Sequence, residues 1–222
     1  MTQPNFIDSF SQQVSIDPTD TVLLVIDMQN ATGNRNMGLG KLMSDAGKAS
    51  DASFRFDRID NLLVPKIKAL LDSFRGNNAN IIYITYGAEI HDARDVPAHM
   101  KPIVVATNNI IGCKEHEIVE ALTPNEGELV LNKTTQGAFK STKIDTVLRA
   151  LNAKTVVCVG VSTNNCVAMT AMEACDSQYK VVVVSDATGT DSEEMQESTL
   201  KMLGRLWARV MTTDEVIECL GK

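Results

Sequence analysis

The chain has 222 residues, of which 44% are hydrophobic, and this is enough for one α/β domain with a large core. The formal net charge of −7 and the sequence pI of about 5.0 argue against a nucleic-acid partner, because phosphate binding needs a basic face. The longest apolar runs have the length of strands, so no transmembrane helix and no membrane partner are predicted.

Five cysteines are spread along the chain without a CxxC pair, and an odd number cannot all pair with one another. This pattern argues against a disulfide framework and against a zinc site of common spacing. Residues 1–20 are polar, contain two prolines and lack the apolar core of a signal peptide. We therefore predict a cytoplasmic protein with an extended N-terminal arm at 1–20 and a single domain at 21–222.

Apolar runs rich in β-branched residues alternate with segments of helical spacing along the chain. The first run, 21–26, is apolar throughout, as in a parallel sheet that is covered on both faces. The predicted strands are 21–26, 80–86, 128–132, 155–160, 180–185 and 209–212. The predicted helices are 57–75, 114–122, 141–151, 164–177, 192–207 and 213–220. This alternation predicts a three-layer α/β/α fold, doubly wound around a six-stranded, mainly parallel sheet.

Two long segments, 28–56 and 87–113, show no sustained period of either kind. The first is rich in glycine and basic residues, and it has room for a short helix at 39–45. Loops of this length are uncommon in a compact domain and are usually functional or mobile. We therefore expect these two segments to set the substrate preference.

Three chemically reactive side chains lie at or just after the ends of predicted strands: Asp27, Lys133 and Cys166. In open α/β sheets, ligands bind outside the carboxyl ends of the strands, so these residues are expected at one edge. Taken singly, each has an ordinary structural interpretation, as a cap, a solvated lysine or a small core residue. Together they form a nucleophile system in which Cys166 attacks, Asp27 moves a proton and Lys133 stabilises negative charge.

The segment around Cys166 has the features of a reactive thiol. A buried strand that ends at Gly160 is followed by a sharp turn and by a helix that starts near Cys166. Unpaired N–H groups and the helix dipole favour an anion at such a start, so a thiolate is expected there near neutral pH. The backbone N–H groups of the turn are candidates to bind an oxyanion.

Four parts of the sequence resemble the isochorismatase-like cysteine hydrolases. They are 23–30 (LLVIDMQN), Asn132-Lys133 with 137–139 (GAF), 160–167 (GVSTNNCV) and 181–187 (VVVVSDA). The resemblance extends from about residue 20 to residue 215 and follows the order of the family's motifs. It implies the isochorismatase-like, Rossmann-like α/β fold, and it is much less specific for the substrate than for the superfamily.

The resemblance implies roles for the strand-end residues. Asp27 would be the general base and acid, Lys133 its charge partner and Cys166 the nucleophile. A cis peptide bond is also implied between Val161 and Ser162, which would direct the Ser162 N–H toward the oxyanion beside that of Cys166. Members of this family commonly form dimers or larger assemblies, so a homo-oligomer is expected.

The resemblance also bears on cofactors. Nicotinamidases of this family carry a metal site built on an Asp-x-His element and a further histidine. This chain has only His91, His99 and His116, and it has no Asp-x-His triplet. We therefore predict no catalytic metal and no other cofactor.

Candidate substrate-binding residues lie near the strand ends and in the first long segment. Arg35 and Lys41 either reach over a small carboxylate or ureido group as part of a lid or belong to a flexible surface loop. Tyr86 and Phe139 are candidate pocket walls, although Phe139 would equally suit the core or a subunit contact. The remaining candidates are Gln29 and Val161.

Three functions follow from these patterns. The first is hydrolysis of a C–N bond in a small amide, ureido or carbamoyl compound through a thioester on Cys166. The second is hydrolysis of the isochorismate vinyl ether, which depends more on acid chemistry by Asp27 than on the thiol. The third is a Rossmann-like nucleotide-binding module without catalysis. The sequence argues against this function, because no GxGxxG motif follows the first strand.

Overall fold

The fold is a single parallel sheet between two layers of helices, and the computed structural model describes residue 10 and residues 13–221 of it. The strands of these residues are β1 (Thr21–Ile26), β2 (Asn80–Tyr86), β3 (Leu129–Lys133), β4 (Thr155–Val161), β5 (Lys180–Gly189) and β6 (Arg209–Met211). They are ordered β3-β2-β1-β4-β5-β6, and every neighbouring pair is parallel. The predicted fold class is confirmed.

Helices form most of the connections between strands. They are α1 (Asn30–Gly33), α2 (Gly38–Asp45), α3 (Ser53–Arg58), α4 (Val64–Gly76), α5 (Lys101–Ala106), α6 (Ile144–Ala150), α7 (Ala168–Asp176), α8 (Glu193–Leu206) and α9 (Thr213–Leu220). A π-helical turn joins α3 to α4, so the helix predicted at 57–75 is a continuous run that already begins at Ser53. No helix among the described residues is long and apolar enough to cross a membrane.

Each central strand is buried on both faces, as its continuous apolar sequence predicts. Leu23 and Val25 of β1 belong to one apolar cluster, which includes residues of α4 and α9. The alternate residues Val22, Leu24 and Ile26 belong to a second cluster on the other face, which includes residues of α6, α7 and α8. The pleat of the strand produces this alternation, and the two clusters hold the sheet edge rigidly in place.

The prediction of a helix at 114–122 is wrong. Its residues form two 3₁₀ turns, Lys114–His116 and Glu120–Leu122. Between the turns the backbone is paired with the segment that follows β1: the Val119 N–H donates to the Met28 carbonyl at 2.9 Å, and the Asn30 N–H donates to the Glu117 carbonyl at 2.8 Å. These bonds to a distant segment replace the local bonds that a helix would need.

The predicted N-terminal arm at 1–20 lies partly outside the described residues. The described segment 13–20 runs beside the start of β4, where the Thr155 hydroxyl donates to the Ser15 carbonyl at 3.0 Å. Val14 and Ile16 pack against the first apolar cluster. This part of the arm is therefore attached to the domain.

Gly160 lets β4 approach β1 closely at the end of both strands. Its φ is +111°, a region that favours glycine, and a Cβ atom at this position would collide with the Ile26 carbonyl oxygen. The register between β4 and β5 also shifts between Cys158 and Gly160. A glycine is therefore required at the strand end that leads to the turn containing Cys166.

Replacing Gly160 by alanine is expected to lower the free energy of unfolding by about 3 kcal/mol or more, because the new Cβ meets backbone in a strained conformation. Unfolding in guanidinium chloride measures the change. Gly76→Ala is the matched control. Gly76 is the last residue of α4, and a Cβ atom at this position would have no atom within 4 Å. Equal stabilities for the two variants would contradict the assigned close approach.

Candidate active site

Asp27 is held at the sheet edge by a tight turn directly after β1. Its φ is 52°, in the left-handed region that aspartate enters more readily than most residues. The Asp27 N–H donates to the Ile84 carbonyl at 2.8 Å, while its carbonyl accepts from the Gln29 N–H at 2.9 Å and from the Thr32 hydroxyl at 2.6 Å. These bonds fix the backbone that carries the carboxyl group.

Lys133 reaches the same point from β3. It is the last residue of that strand and is in register with Tyr86, the last residue of β2. Its Nζ lies 2.9 Å from the Asp27 Oδ2, and the side chains are 0% and 3% exposed. The same Nζ lies 4.4 Å from the centroid of the Tyr86 ring, so a carboxylate and an aromatic face compensate the buried charge.

Cys166 lies in a single π-helical turn between β4 and α7 and is 7% exposed. Two side-chain hydrogen bonds, of which the first is buried, hold this turn. The Thr163 hydroxyl donates to the Gln196 Oε1 at 2.6 Å, and the Thr190 hydroxyl donates to the Asn164 Oδ1 at 2.6 Å. The thiol is therefore presented by a rigid segment that is tied to α8 and to the end of β5.

The electrostatics of the site favour a thiol that is protonated at rest. Burial raises the pKa of Cys166, the Asp27 charge adds to this rise and the Lys133 charge opposes it, and the resulting pKa is about 12. This differs from the thiolate expected at an exposed helix start, because the thiol is buried. Burial also raises the pKa of Asp27, against the opposing Lys133 charge. The pKa of Lys133 is lowered by burial but is raised overall by the Asp27 and Cys166 charges.

The thiol and the carboxyl open into one cavity of about 170 Å³. This is below the roughly 300–1,000 Å³ of pockets for drug-sized ligands, so the site suits a small molecule. Tyr86 and Val161, two of the predicted pocket residues, line it together with Asp27 and Cys166. The other lining residues are Ala31, Thr32, Leu39, Arg55, Met100, Ile103, Val104, Thr107, Asn109, Ser162, Asn165 and Asp191.

Two polar atoms of this cavity are buried without a hydrogen-bond partner in the described part of the chain. They are Oδ1 of Asp27 and the hydroxyl oxygen of Tyr86. Tyr86 as a whole residue is 4% exposed. A buried polar group without a partner is unfavourable and rare in a folded protein. Both atoms are therefore available to a bound molecule.

Gln29 and Phe139 have structural roles, and neither lines the cavity. Gln29 is fully buried: its Nε2 donates to the Tyr86 carbonyl at 3.1 Å and to the His116 carbonyl at 2.8 Å, and its Oε1 accepts from the Tyr86 N–H at 2.8 Å. The Phe139 ring packs 6.0 Å from the Tyr179 ring. Their prediction as substrate-binding residues is corrected, because their side chains are occupied elsewhere.

Arg35 and Lys41 are also placed outside the cavity. Arg35 forms ion pairs with Asp57 at 2.8 Å and with Asp60 at 2.6 Å. Lys41 pairs with Asp45 at 2.8 Å, one helical turn further along α2. Both cations are exposed and neutralised on the surface, so the predicted basic lid is not observed.

Arg55 is the site residue that the sequence analysis missed. Its Nη1 donates to the Ser162 Oγ at 2.8 Å and to the Asp191 Oδ1 at 3.0 Å. The peptide bond between Val161 and Ser162 is cis. The usable signal in the sequence was the helical spacing of Ala52, Phe56 and Ile59, because Arg55 falls on the same apolar face and a charge there needs a buried partner.

The long segment 87–113 supplies the apolar wall of the cavity. The sequence predicts no helix in it, but it contains α5, from which Ile103 and Val104 line the cavity beside Met100. Among the described residues, no three His, Cys, Asp or Glu side chains form a group that could hold a metal ion. His116 instead hydrogen-bonds the Asn132 Oδ1 at 2.9 Å.

Comparisons with known proteins agree with this architecture. The family model described as the isochorismatase domain matches residues 21–215. The chain belongs to the isochorismatase family. The uncharacterized isochorismatase family protein YwoC of Bacillus subtilis is 30% identical over 158 residues, covering 70% of this chain and 82% of that protein.

Two further isochorismatase-family relatives cover more of the chain. The ureidoacrylate amidohydrolase RutB of Caulobacter segnis is 27% identical over 229 residues, covering 95% of this chain and 90% of that protein. The crystal structure of an isochorismatase family protein from Desulfovibrio vulgaris has a TM-score of 0.75 at 25% identity, covering 91% of this chain and 98% of that one. The predicted family and the predicted class of enzyme, a hydrolase, are confirmed.

Replacing Lys133 by methionine is expected to lower the free energy of unfolding by about 3–5 kcal/mol, because Asp27 is left buried without its partner. Lys41→Met, which breaks an exposed ion pair, is expected to change it by at most about 1 kcal/mol. Urea unfolding of both variants measures the difference. The double variant Asp27→Asn/Lys133→Met should regain part of the lost stability, and a double variant no more stable than Lys133→Met would contradict the coupling.

Proposed function

We propose that this chain is a cysteine-dependent amidohydrolase that cleaves a C–N bond of a small amide, ureido or carbamoyl compound through a thioester. The observation that carries the proposal is the shared position of the Cys166 thiol and the Asp27 carboxyl on one small cavity, with Lys133 buried behind the carboxyl. The name of the RutB relative, a ureidoacrylate amidohydrolase, supports the same reaction class.

In the first half of the reaction, Asp27 accepts the thiol proton as the Cys166 sulfur attacks the substrate carbonyl carbon. The raised pKa of the carboxyl makes it a stronger base than an ordinary aspartate. Lys133 is the proposed charge partner, which keeps the carboxylate in place and stabilises the thiolate as it forms. Collapse of the tetrahedral intermediate breaks the C–N bond, and Asp27 returns its proton to the leaving nitrogen.

The negative oxygen of the tetrahedral intermediate needs donors that are already in place. We assign this role to the backbone N–H groups of Ser162 and Cys166, which belong to the turn that presents the thiol. Both residues line the cavity. This assignment extends the role predicted for them from the family resemblance.

The second half of the reaction repeats these steps with water as the nucleophile. Asp27 removes a proton from water, which attacks the thioester carbon. The C–S bond then breaks, the acid leaves and the thiol regains its proton. No cofactor enters this scheme, because the chain's own residues supply the base, the nucleophile and the charge partner.

A homo-oligomer is part of the proposal. The exposed side of α8 carries Met195, Met202 and Leu206, each more than 40% exposed. Apolar side chains grouped on one exposed helix are suited to a contact with a second copy. Leu203 of the same helix belongs to the core, so α8 has one apolar side turned inward and another turned outward.

The raised pKa of Asp27 also favours a second candidate, the vinyl-ether hydrolysis of isochorismatase. A carboxyl that keeps its proton closer to neutral pH is a better general acid. That reaction does not require a thioester. Activity on isochorismate that survives Cys166→Ala would favour it over the amidohydrolase.

Cys166→Ala is expected to abolish ammonia release from every active compound in a panel of small amides and ureas, because no thioester can form. Iodoacetamide at neutral pH should label Cys166 faster than the other thiols, as measured by peptide mass spectrometry. The buried Cys158 is the internal control, since it has no carboxyl base beside it and burial raises its pKa to about 12. Slow, uniform labelling of all cysteines would count against the proposal.

The pH dependence should report Asp27 rather than the thiol. Asp27 must be ionised to accept the proton, so kcat/KM should fall as pH falls through a carboxyl pKa above the usual value of about 3.9. In Asp27→Asn, kcat/KM should be low across the whole pH range and should lose this acid-side dependence, because the base that accepts the thiol proton is absent. A rate that follows an ordinary thiol pKa of about 8.5 would contradict this assignment.

A further inference from the structure

Arg55 is a buried cation that faces the cavity. Its side chain is 5% exposed, and among the described residues that line the cavity it is the only one with a positive charge. Lys133, the other cation of the site, is not part of the lining and is already paired with a buried carboxylate. The cavity therefore offers a substrate one guanidinium group.

The contacts of Arg55 divide into permanent and replaceable ones. Nε and Nη2 donate to the Thr32 carbonyl at 3.2 and 3.0 Å, and Nη1 donates to the Ser162 Oγ at 2.8 Å. These neutral partners orient the group but do not balance its charge. The charge is balanced by Asp191, whose Oδ1 lies 3.0 Å from Nη1.

The Asp191 contact is weak for an ion pair of a buried arginine. The Asp191 side chain is 71% exposed, and one of its oxygens is paired with Arg55. Ion pairs with a largely solvated partner contribute little to stability. A ligand carboxylate inside the cavity can accept two parallel hydrogen bonds from the guanidinium group, which is a stronger arrangement than a single contact.

We propose that Arg55 binds a carboxylate of the substrate and that this carboxylate replaces Asp191. The inference rests on the proposed amidohydrolase function and narrows its substrate class to small amide or ureido compounds that carry a carboxylate. Ser162 is a positioning residue in this scheme, because its hydroxyl holds the guanidinium group beside the turn that presents Cys166. The cavity of about 170 Å³ is so small that a molecule bound to Arg55 also borders the thiol.

Two alkylating reagents of nearly the same shape test the anion preference at the thiol itself. Iodoacetate carries a carboxylate where iodoacetamide carries a neutral amide. With either reagent an S–C bond forms at Cys166, iodide leaves and Asp27 accepts the thiol proton. The measured quantity is the rate constant for iodoacetate divided by that for iodoacetamide at Cys166, both determined by peptide mass spectrometry. This ratio is then divided by the same ratio for glutathione.

In the unaltered protein this normalised ratio is expected to be about 10 or more, because a charge-assisted hydrogen-bonded pair strengthens binding by about this factor. Arg55→Met should bring the ratio down to that of glutathione, and Arg55→Lys should retain part of it. Asp191→Asn should raise the ratio by about threefold or more, because the competing carboxylate is gone. Arg94→Met is the matched control, since Arg94 is an exposed arginine paired with Asp92 outside the cavity.

A ratio near that of glutathione in the unaltered protein, or one that Arg55→Met leaves unchanged, would overturn the proposal. If Arg55→Met does not fold, Asp191→Asn decides: a ratio that stays the same or falls would equally overturn it. The labelling ratio needs no turnover, so it separates this inference from the amidohydrolase proposal. A reactive thiol without an anion preference would remove only the inference, whereas a thiol that reacts with neither reagent would contradict both.

Hydrolysis provides a second readout. N-carbamoylglycine and isobutylurea have similar shapes, but the second carries two methyl groups in place of the carboxylate oxygens. Arg55→Met should raise KM for N-carbamoylglycine about tenfold more than it raises KM for isobutylurea, because only the first compound loses a charge-assisted contact. An equal change for both compounds would assign Arg55 a structural role instead.

Discussion

A lysine can stay charged inside a protein only if an anion lies beside it, and the ion pair of Lys133 with Asp27 is the constraint on which this site depends. The pair joins the end of β3 to the end of β1, with the Tyr86 ring of β2 under the ammonium group. Three neighbouring strands must therefore end at the same level. The parallel register supplies that alignment, and two apolar clusters keep it rigid.

The nucleophile approaches from the other side of β1, and this explains why the close contact at Gly160 matters. The strand order places β4 directly beside β1, at the point where the winding of the sheet reverses. Ligands of open α/β sheets bind at this reversal, outside the carboxyl ends of the strands. The crevice therefore receives Asp27 from one strand and Cys166 from the turn after the other.

Much of this arrangement was predictable because it follows from strand ends. Asp27 follows β1 in the middle of the sheet and Lys133 ends β3 at its edge, and both strands are apolar runs of strand length. In addition, β1 and β2 have the bounds that the sequence predicts. Arg55 was not predictable in the same way, because its partner Asp191 is 136 residues further along the chain. Arg35 and Lys41 misled for a different reason: acidic residues much nearer in the sequence, Asp57 and Asp45, hold these side chains on the surface.

The two ion pairs of the site differ in a way that suits different tasks. In the Lys133–Asp27 pair both partners are buried, so neither can be exchanged without leaving a charge uncompensated. In the Arg55–Asp191 pair the cation is buried and the anion is mostly solvated, so Asp191 can return to water when a substrate carboxylate takes over the balance of the charge. The first pair fits a permanent proton-transfer system, since its geometry must survive each reaction. The second has the properties of a binding group whose anionic partner is exchanged when a substrate enters.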